Sequence, residues 1–99
     1  MKTTKIIVKD LSVGTLSNAD GVALRIAIDA ALSNGDSVII SLEEINTISS
    51  SFLNSSIGEI IDSHGFDVLK NKIKITHYTP SLSLIIKKYI DNCRKTISE

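Results

Sequence analysis

Apolar positions fall into two short unbroken runs, one alternating stretch and three stretches of helical period. The runs Ile6-Ile7-Val8 and Val38-Ile39-Ile40 are β-branched, which suits a pleated strand. Because they are continuous, they predict strands over residues 5–8 and 36–42 that lie as central, parallel neighbours with helices on both sheet faces. The third strand-like stretch, residues 72–78 (KIKITHY), alternates strictly. It predicts a strand with one wet face or at an edge, where lysines discourage pairing with another sheet.

The first helical stretch is Asn18–Ser33. Asn18 or Ser17 can cap it and Asp20 suits the positive end of its dipole. Asn34-Gly35 ends it with residues that tolerate the left-handed conformation. Only Gly21, Arg25, Asp29 and Ser33 form a polar line, narrower than a surface helix of a small domain shows. Either the helix is covered on two sides, or one side is a self-association surface. Arg25 and Asp29, four apart, can pair on a solvated face.

The second helix is expected over residues 50–64. Leu53, Ile57, Ile60, Ile61 and His64 share one face, and Phe52 broadens it. Gly58 in mid-helix costs roughly 1 kcal/mol against Ala, which points to close backbone approach, here to the sheet. Gly65 ends the helix, and Phe66, Val68 and Leu69 form a short piece over the core. The last helix enters at Thr79-Pro80. Its apolar stripe is Leu82, Ile85, Ile86, Tyr89, Ile90, Cys93 and Ile97, opposite Lys87, Lys88, Asp91, Arg94 and Lys95. Ile45 and Ile48 anchor the loop after the second strand. Val13 and Leu16 anchor the connector after the first, where a short extra strand is a weaker expectation. The layout is β-α-β-α-β-α, and right-handed crossovers make the sheet parallel over at least three strands.

Composition narrows the class. Ninety-nine residues, 42% of them hydrophobic, fit one domain spanning 1–99 with one core. No run is long enough for a membrane span or an export signal, so a soluble, cytoplasmic protein is expected. Eleven basic and eleven acidic residues balance, which argues against nucleic acid as partner. Cys93 is the sole cysteine, excluding an intrachain disulfide and fitting a reducing compartment.

Candidate chemistry is sparse. Phosphate cradles need closely spaced glycines, and neither GxGxxG nor GxxxxGK occurs. His64, His77 and Cys93 lie far apart in the chain, which offers no metal-ligand spacing. The nucleophile elbow GxSxG is absent, although triad members can meet in space. No catalytic residue, cofactor or metal is expected, and the chain reads as a non-enzyme. What stands out is Ser49-Ser50-Ser51, where a strand and loop deliver three hydroxyls to a helix start. One of them can cap the helix, worth about 1 kcal/mol. A hydroxyl there can also become a phosphate, which the helix dipole stabilises and which would change the charge of the surface.

Residues 38–61 resemble the STAS domain of bacterial anti-sigma factor antagonists, in which a strand and loop lead to an Asp-Ser-Ser/Thr-Gly-Leu turn that opens a helix. Ser49 stands where that family has Asp, Ser50 on the phosphorylated Ser/Thr, Ser51 on the next hydroxyl or small residue, and Phe52 in place of Gly. The Ser-Ser-Phe form, with Gly58 in the following helix and Leu24-Arg25 in the first, looks more like the bacterial STAS-like domain family of unknown function. The resemblance implies a small α/β STAS-like (SpoIIaa-like) domain, with a mainly parallel sheet of three to four strands and helices packed against it. It also implies a regulatory, protein-binding role, with an anti-sigma or histidine-kinase-like ATPase as partner. Ser50 is then the candidate phosphoacceptor, with Ser49 and Ser51 as alternatives. Glu43, Glu44, Asn46, Ser49, Ser51, Phe52 and Asn54 are the candidate partner-binding residues. The alternatives are a self-associating structural or adaptor protein, dimerising through Asn18–Ser33, and a small-ligand (nucleotide) binding domain.

Overall fold

The computed structural model describes residues 2–11 and 16–98, with side chains as far as Cys93. Three strands, β1 (Thr3–Ile7), β2 (Ser37–Ser41) and β3 (Ile73–Thr76), pair in parallel in the order β1-β2-β3. A 3-10 turn (Val8–Leu11) closes β1, and α1 (Asn18–Ser33) crosses to β2. From β2 the chain reaches α2 (Ser50–Leu53), a π-helical segment (Asn54–Gly58) and α3 (Glu59–His64). These three form one rod, because the backbone stays right-handed helical at Leu53, Asn54, Gly58 and Glu59. Gly65, at φ 87°, breaks it, as a residue without Cβ can. α4 (Phe66–Lys72) leads into β3, and α5 (Pro80–Ser98) follows. Val13 and the short strand expected near it fall outside the described residues, as do the side chains of Arg94, Lys95 and Ile97.

Strands taken in the order 1-2-3 with right-handed crossovers put every connection on one face of the sheet. The register makes that face readable: Thr4 and Ile6 lie beside Val38 and Ile40, which lie beside Ile73 and Ile75. Ile6, Val8, Val38, Ile40 and Ile73 join Leu24, Ile28, Phe52, Leu53, Ile60 and Leu82 in one core. The opposite face carries Thr3, Lys5 and Ile7, then Ser37, Ile39 and Ser41, then Lys74 and Thr76. Neither Ile39 nor Ile7 belongs to the core or packs against it, and Lys5 and Lys74 are exposed. Helices therefore cover one face, not both as the unbroken apolar runs suggested. β1 lies at an edge and only β2 is central. β3 is at the other edge and exposes Lys74, so both arrangements that its alternation left open, a wet face and an edge, are present.

Helix α1 starts in a reciprocal cap. Ser17 Oγ accepts the Asp20 amide at 3.2 Å and Asp20 Oδ2 accepts the Ser17 amide at 3.3 Å, closing two open donors at once. Asn18 instead accepts Ser55 Oγ at 3.0 Å, tying α1 to the π segment. Gly21, read as part of the polar line, is buried. A Cβ there would fall on the Phe52 carbonyl oxygen and 2.7 Å from Ser55 Cβ, so the glycine lets α1 lie directly against the backbone of the rod. Leu16, expected as an anchor, is 61% exposed. Val22 and Ile26 are exposed as well, so one side of α1 stays uncovered among the described residues.

Candidate functional site

The turn from β2 to α2 is held at both ends. Leu42 N–H donates to the Thr76 carbonyl at 2.9 Å, and Ile45 N–H to the Leu42 carbonyl at 3.0 Å. Ile48 is buried and Ile45 packs against the core, which fixes the path between the strand end and the helix. Glu44 adopts φ 62°, so the chain reverses sharply there at a residue that has a Cβ.

Ser49 is the helix cap: its Oγ accepts the Phe52 amide at 3.1 Å. Ser50 and Ser51 are exposed, as are Glu44, Asn46 and Asn54, while Glu43 is half-buried. Phe52 is 1% exposed. It turns inward and joins the hydrophobic core beside α1, so its place among the partner-facing residues is corrected: it supports the turn from beneath. Asn54 Oδ1 accepts the Tyr89 hydroxyl at 2.8 Å, which draws α5 into the site. Burial, with the Cys93 thiol beside it, pushes the Tyr89 phenol well above its ordinary value, so it stays protonated and donates.

Gly58 is explained by the same residue. A Cβ there would fall on the Tyr89 hydroxyl, so the close approach is to α5 and not to the sheet, as the sequence suggested. Between the rod and α5 runs a groove of about 560 Å³ lined by Ser50, Asn54, Gly58, Asp62, Tyr89 and Asn92. Ser50 therefore stands at the rim of a groove, beside a π segment, which in helices often marks functional positions. Ser56, inside that segment, is buried and its hydroxyl donates to the Phe52 carbonyl at 2.7 Å, which satisfies the buried hydroxyl.

A polar cluster missed by sequence reasoning lies behind the turn, at the carboxyl ends of the strands. Lys9 pairs with Glu44 and, at 3.4 Å, with Glu43. The hydrogen bond from Lys9 holds the Glu43 carboxyl below its ordinary value, and that to Glu44 raises Lys9 above its own. Ser41 Oγ lies 3.4 Å from Glu43 Oε1 and 3.2 Å from His77 Nδ1. These three residue types do not form a relay. Ser41 is fully buried, out of reach of a substrate, and it takes the carboxylate itself, whereas a triad places the acid on the far nitrogen of the ring. His64 Nε2 lies 3.0 Å from Asp29 Oδ1, and Asp29 also holds Arg25 at 3.2 Å. Glu44 and Asp29 each stand 35 residues from Lys9 and His64 respectively, so no local spacing could have revealed either contact.

Among the described residues no group of three His, Cys, Asp or Glu side chains is placed to hold a metal ion, and no helix is long and apolar enough to cross a membrane. No curated protein and no solved structure matches the chain. The family model for the STAS-like domain of unknown function (DUF4325) matches residues 20–82, from the first turn of α1 to the start of α5. That is more than half of the sequence, and it contains the whole β2–turn–α2 site: the chain belongs to the STAS-like domain family of unknown function.

Proposed function

We propose that this chain is a non-enzymatic regulatory domain that docks to a partner protein through the exposed side of the 43–54 turn and the groove beside it. The partner we propose is an anti-sigma or histidine-kinase-like ATPase, and phosphorylation of Ser50 switches the contact. The observation that carries the reading is the division of labour among the serines. Ser49 is occupied as the cap, which leaves Ser50 exposed on a rigidly tied turn at the groove rim. A phosphate there would sit at a helix start, where the dipole favours it, without disturbing the core. Glu44, Asn46, Ser51 and Asn54 complete the surface, with Glu43 behind them and Phe52 as buried support.

The test has two arms. Intact mass of the protein isolated from cells should show one added phosphate that Ser50→Ala removes; a phosphate persisting in that variant sinks the switch. Capture on immobilised protein should recover an ATPase that the double variant Glu44→Lys/Asn54→Lys no longer retains. Equal retention by that variant, or no ATPase at all, overturns the docking reading.

One observation favours a second reading. Val22 is 37% and Ile26 57% exposed, four apart on α1, with Ala19 and Ala30 exposed on the same side. We propose that this stripe is a self-association surface. Sedimentation should show a concentration-dependent dimer that Ile26→Lys removes, and a monomer throughout the range discards it.

A further inference from the structure

We infer that the outer edge of β3 is a second docking site, one that takes an extended segment of a partner protein as a fourth strand, with apolar residues alternating with acidic ones. The inference does not depend on the 43–54 turn.

It starts from the backbone. Leu42 N–H donates to the Thr76 carbonyl, so the Thr76 peptide groups face β2. Along a parallel strand the N–H and C=O groups point to alternate sides. Lys74 therefore also faces β2, while Ile73 and Ile75 turn theirs outward. The sheet ends at β3, so these outward groups have no strand to bind among the described residues. Such a row is a template for another chain.

Beside that edge lies a trough. Two cavities, of about 490 and 380 Å³, meet at Ile75 and Ile90. The first continues to Phe66 and Leu69 of α4, the second to Ile86 of α5 and to Tyr78, which is 52% exposed. A strand laid along β3 would drop every second side chain into this trough, whose lining mixes these apolar side chains with Asp67, Lys70, Lys87 and Asp91. The side chains between would emerge on the other face of the sheet, next to Lys74. Lys74 and Lys5 are exposed, form no ion pair among the described residues and share that face with Thr, Ser and Ile of the strands but no acidic strand residue. Charge complementarity thus selects Glu or Asp at the intervening positions. The same charge disfavours a second copy of this chain: the antiparallel register that sets Ile73 against Ile75 puts two Lys74 side chains directly opposite, which is destabilising.

The experiment is amide exchange on the full ¹⁵N-labelled chain. In the free protein the Ile75 amide should exchange much faster than those of Lys74 and Thr76; equal protection would mean that the edge is already covered, and would overturn the inference. A synthetic peptide of alternating valine and glutamate should slow Ile75 exchange about tenfold or more and shift residues lining the trough. The matching valine–lysine peptide should not, and Lys74→Glu should weaken the glutamate peptide about three- to tenfold. Lack of protection at millimolar peptide, equal response to both peptides, or shifts confined to residues 43–54 would each overturn it.

Discussion

Ser49 and Ser50 are adjacent hydroxyls in different surroundings. Ser49 Oγ holds the Phe52 amide at 3.1 Å, while Ser50 is exposed. Ser49→Ala should lower stability by about 1 kcal/mol, the usual cost of losing such a cap, and Ser50→Ala should leave it within about 0.5 kcal/mol, as for an ordinary surface site. Urea unfolding of both variants checks this, and a Ser50→Ala loss as large as that of Ser49→Ala would show that Ser50 is structural. The Lys9–Glu43–Glu44 cluster makes a prediction in pH. Glu43 sits below its ordinary 4.5 because Lys9 donates to it, and Lys9 sits above its ordinary 10.5 because Glu44 accepts from it. A lowered carboxyl contributes stability that is present above its unfolded value and lost as pH falls through the folded one. A raised lysine contributes below its unfolded value and loses it as pH rises through the folded one. The cluster therefore supports the fold across the interval between them. An NMR titration should place the Glu43 midpoint below 4.5, and Lys9→Met should return it to the ordinary range.

The rod formed by α2, the π segment and α3 is organised by its contacts with two other helices. Gly21 of α1 abuts the Phe52 carbonyl and Ser55, and Gly58 abuts Tyr89 of α5. In an open helix Gly→Ala gains up to about 1 kcal/mol. At Gly58 the added methyl meets the Tyr89 hydroxyl, so the change should destabilise instead. Tyr89→Phe removes that oxygen and leaves the next neighbours, the Leu53 carbonyl and the Tyr89 ring carbon, at 3.5 Å, an ordinary contact. Gly58→Ala should therefore become neutral or stabilising in the Tyr89→Phe background. A double-mutant cycle in urea measures the coupling, and an unchanged sign would mean that some other contact requires the glycine. At Gly21 the obstacle is backbone, which cannot step aside, and Gly21→Ala should cost about 1–3 kcal/mol.

For the whole molecule, the decisive fact is that the described helices all lie on one face of the sheet. Ile39 and Ile40 are neighbours of identical chemistry in the central strand, yet Ile40 is 2% exposed in the core while Ile39 faces away from it. Ile40→Ala should cost about 2–5 kcal/mol, the range for a buried Ile. Ile39→Ala should cost under about 1 kcal/mol in the isolated domain, and its effect should appear instead in binding, if a partner covers that face. Comparable losses at the two positions in thermal or urea unfolding would indicate that the second face is already packed.

The apolar pattern by itself determined the number, type and order of the main elements, the wet side of β3 and the bounds of α1. These follow from local rules: β-branched runs, helical periodicity, caps and breakers act within a few residues of one another. The serine cluster was legible for the same reason, and so was the presence of a cap in it. The sequence could not say which serine capped, because three hydroxyls in a row satisfy the same local rule. Nor could it say that Phe52 turned inward, that Gly58 met Tyr89, or that Glu44 and Asp29 found Lys9 and His64. Each of those contacts joins elements far apart in the chain, and only the packing of the helical layer brings them together. The strand runs were misread as doubly covered, since Ile7 and Ile39 are apolar on a face that the described helices leave open. Strand order and crossover hand decided that, and both are properties of the assembled sheet.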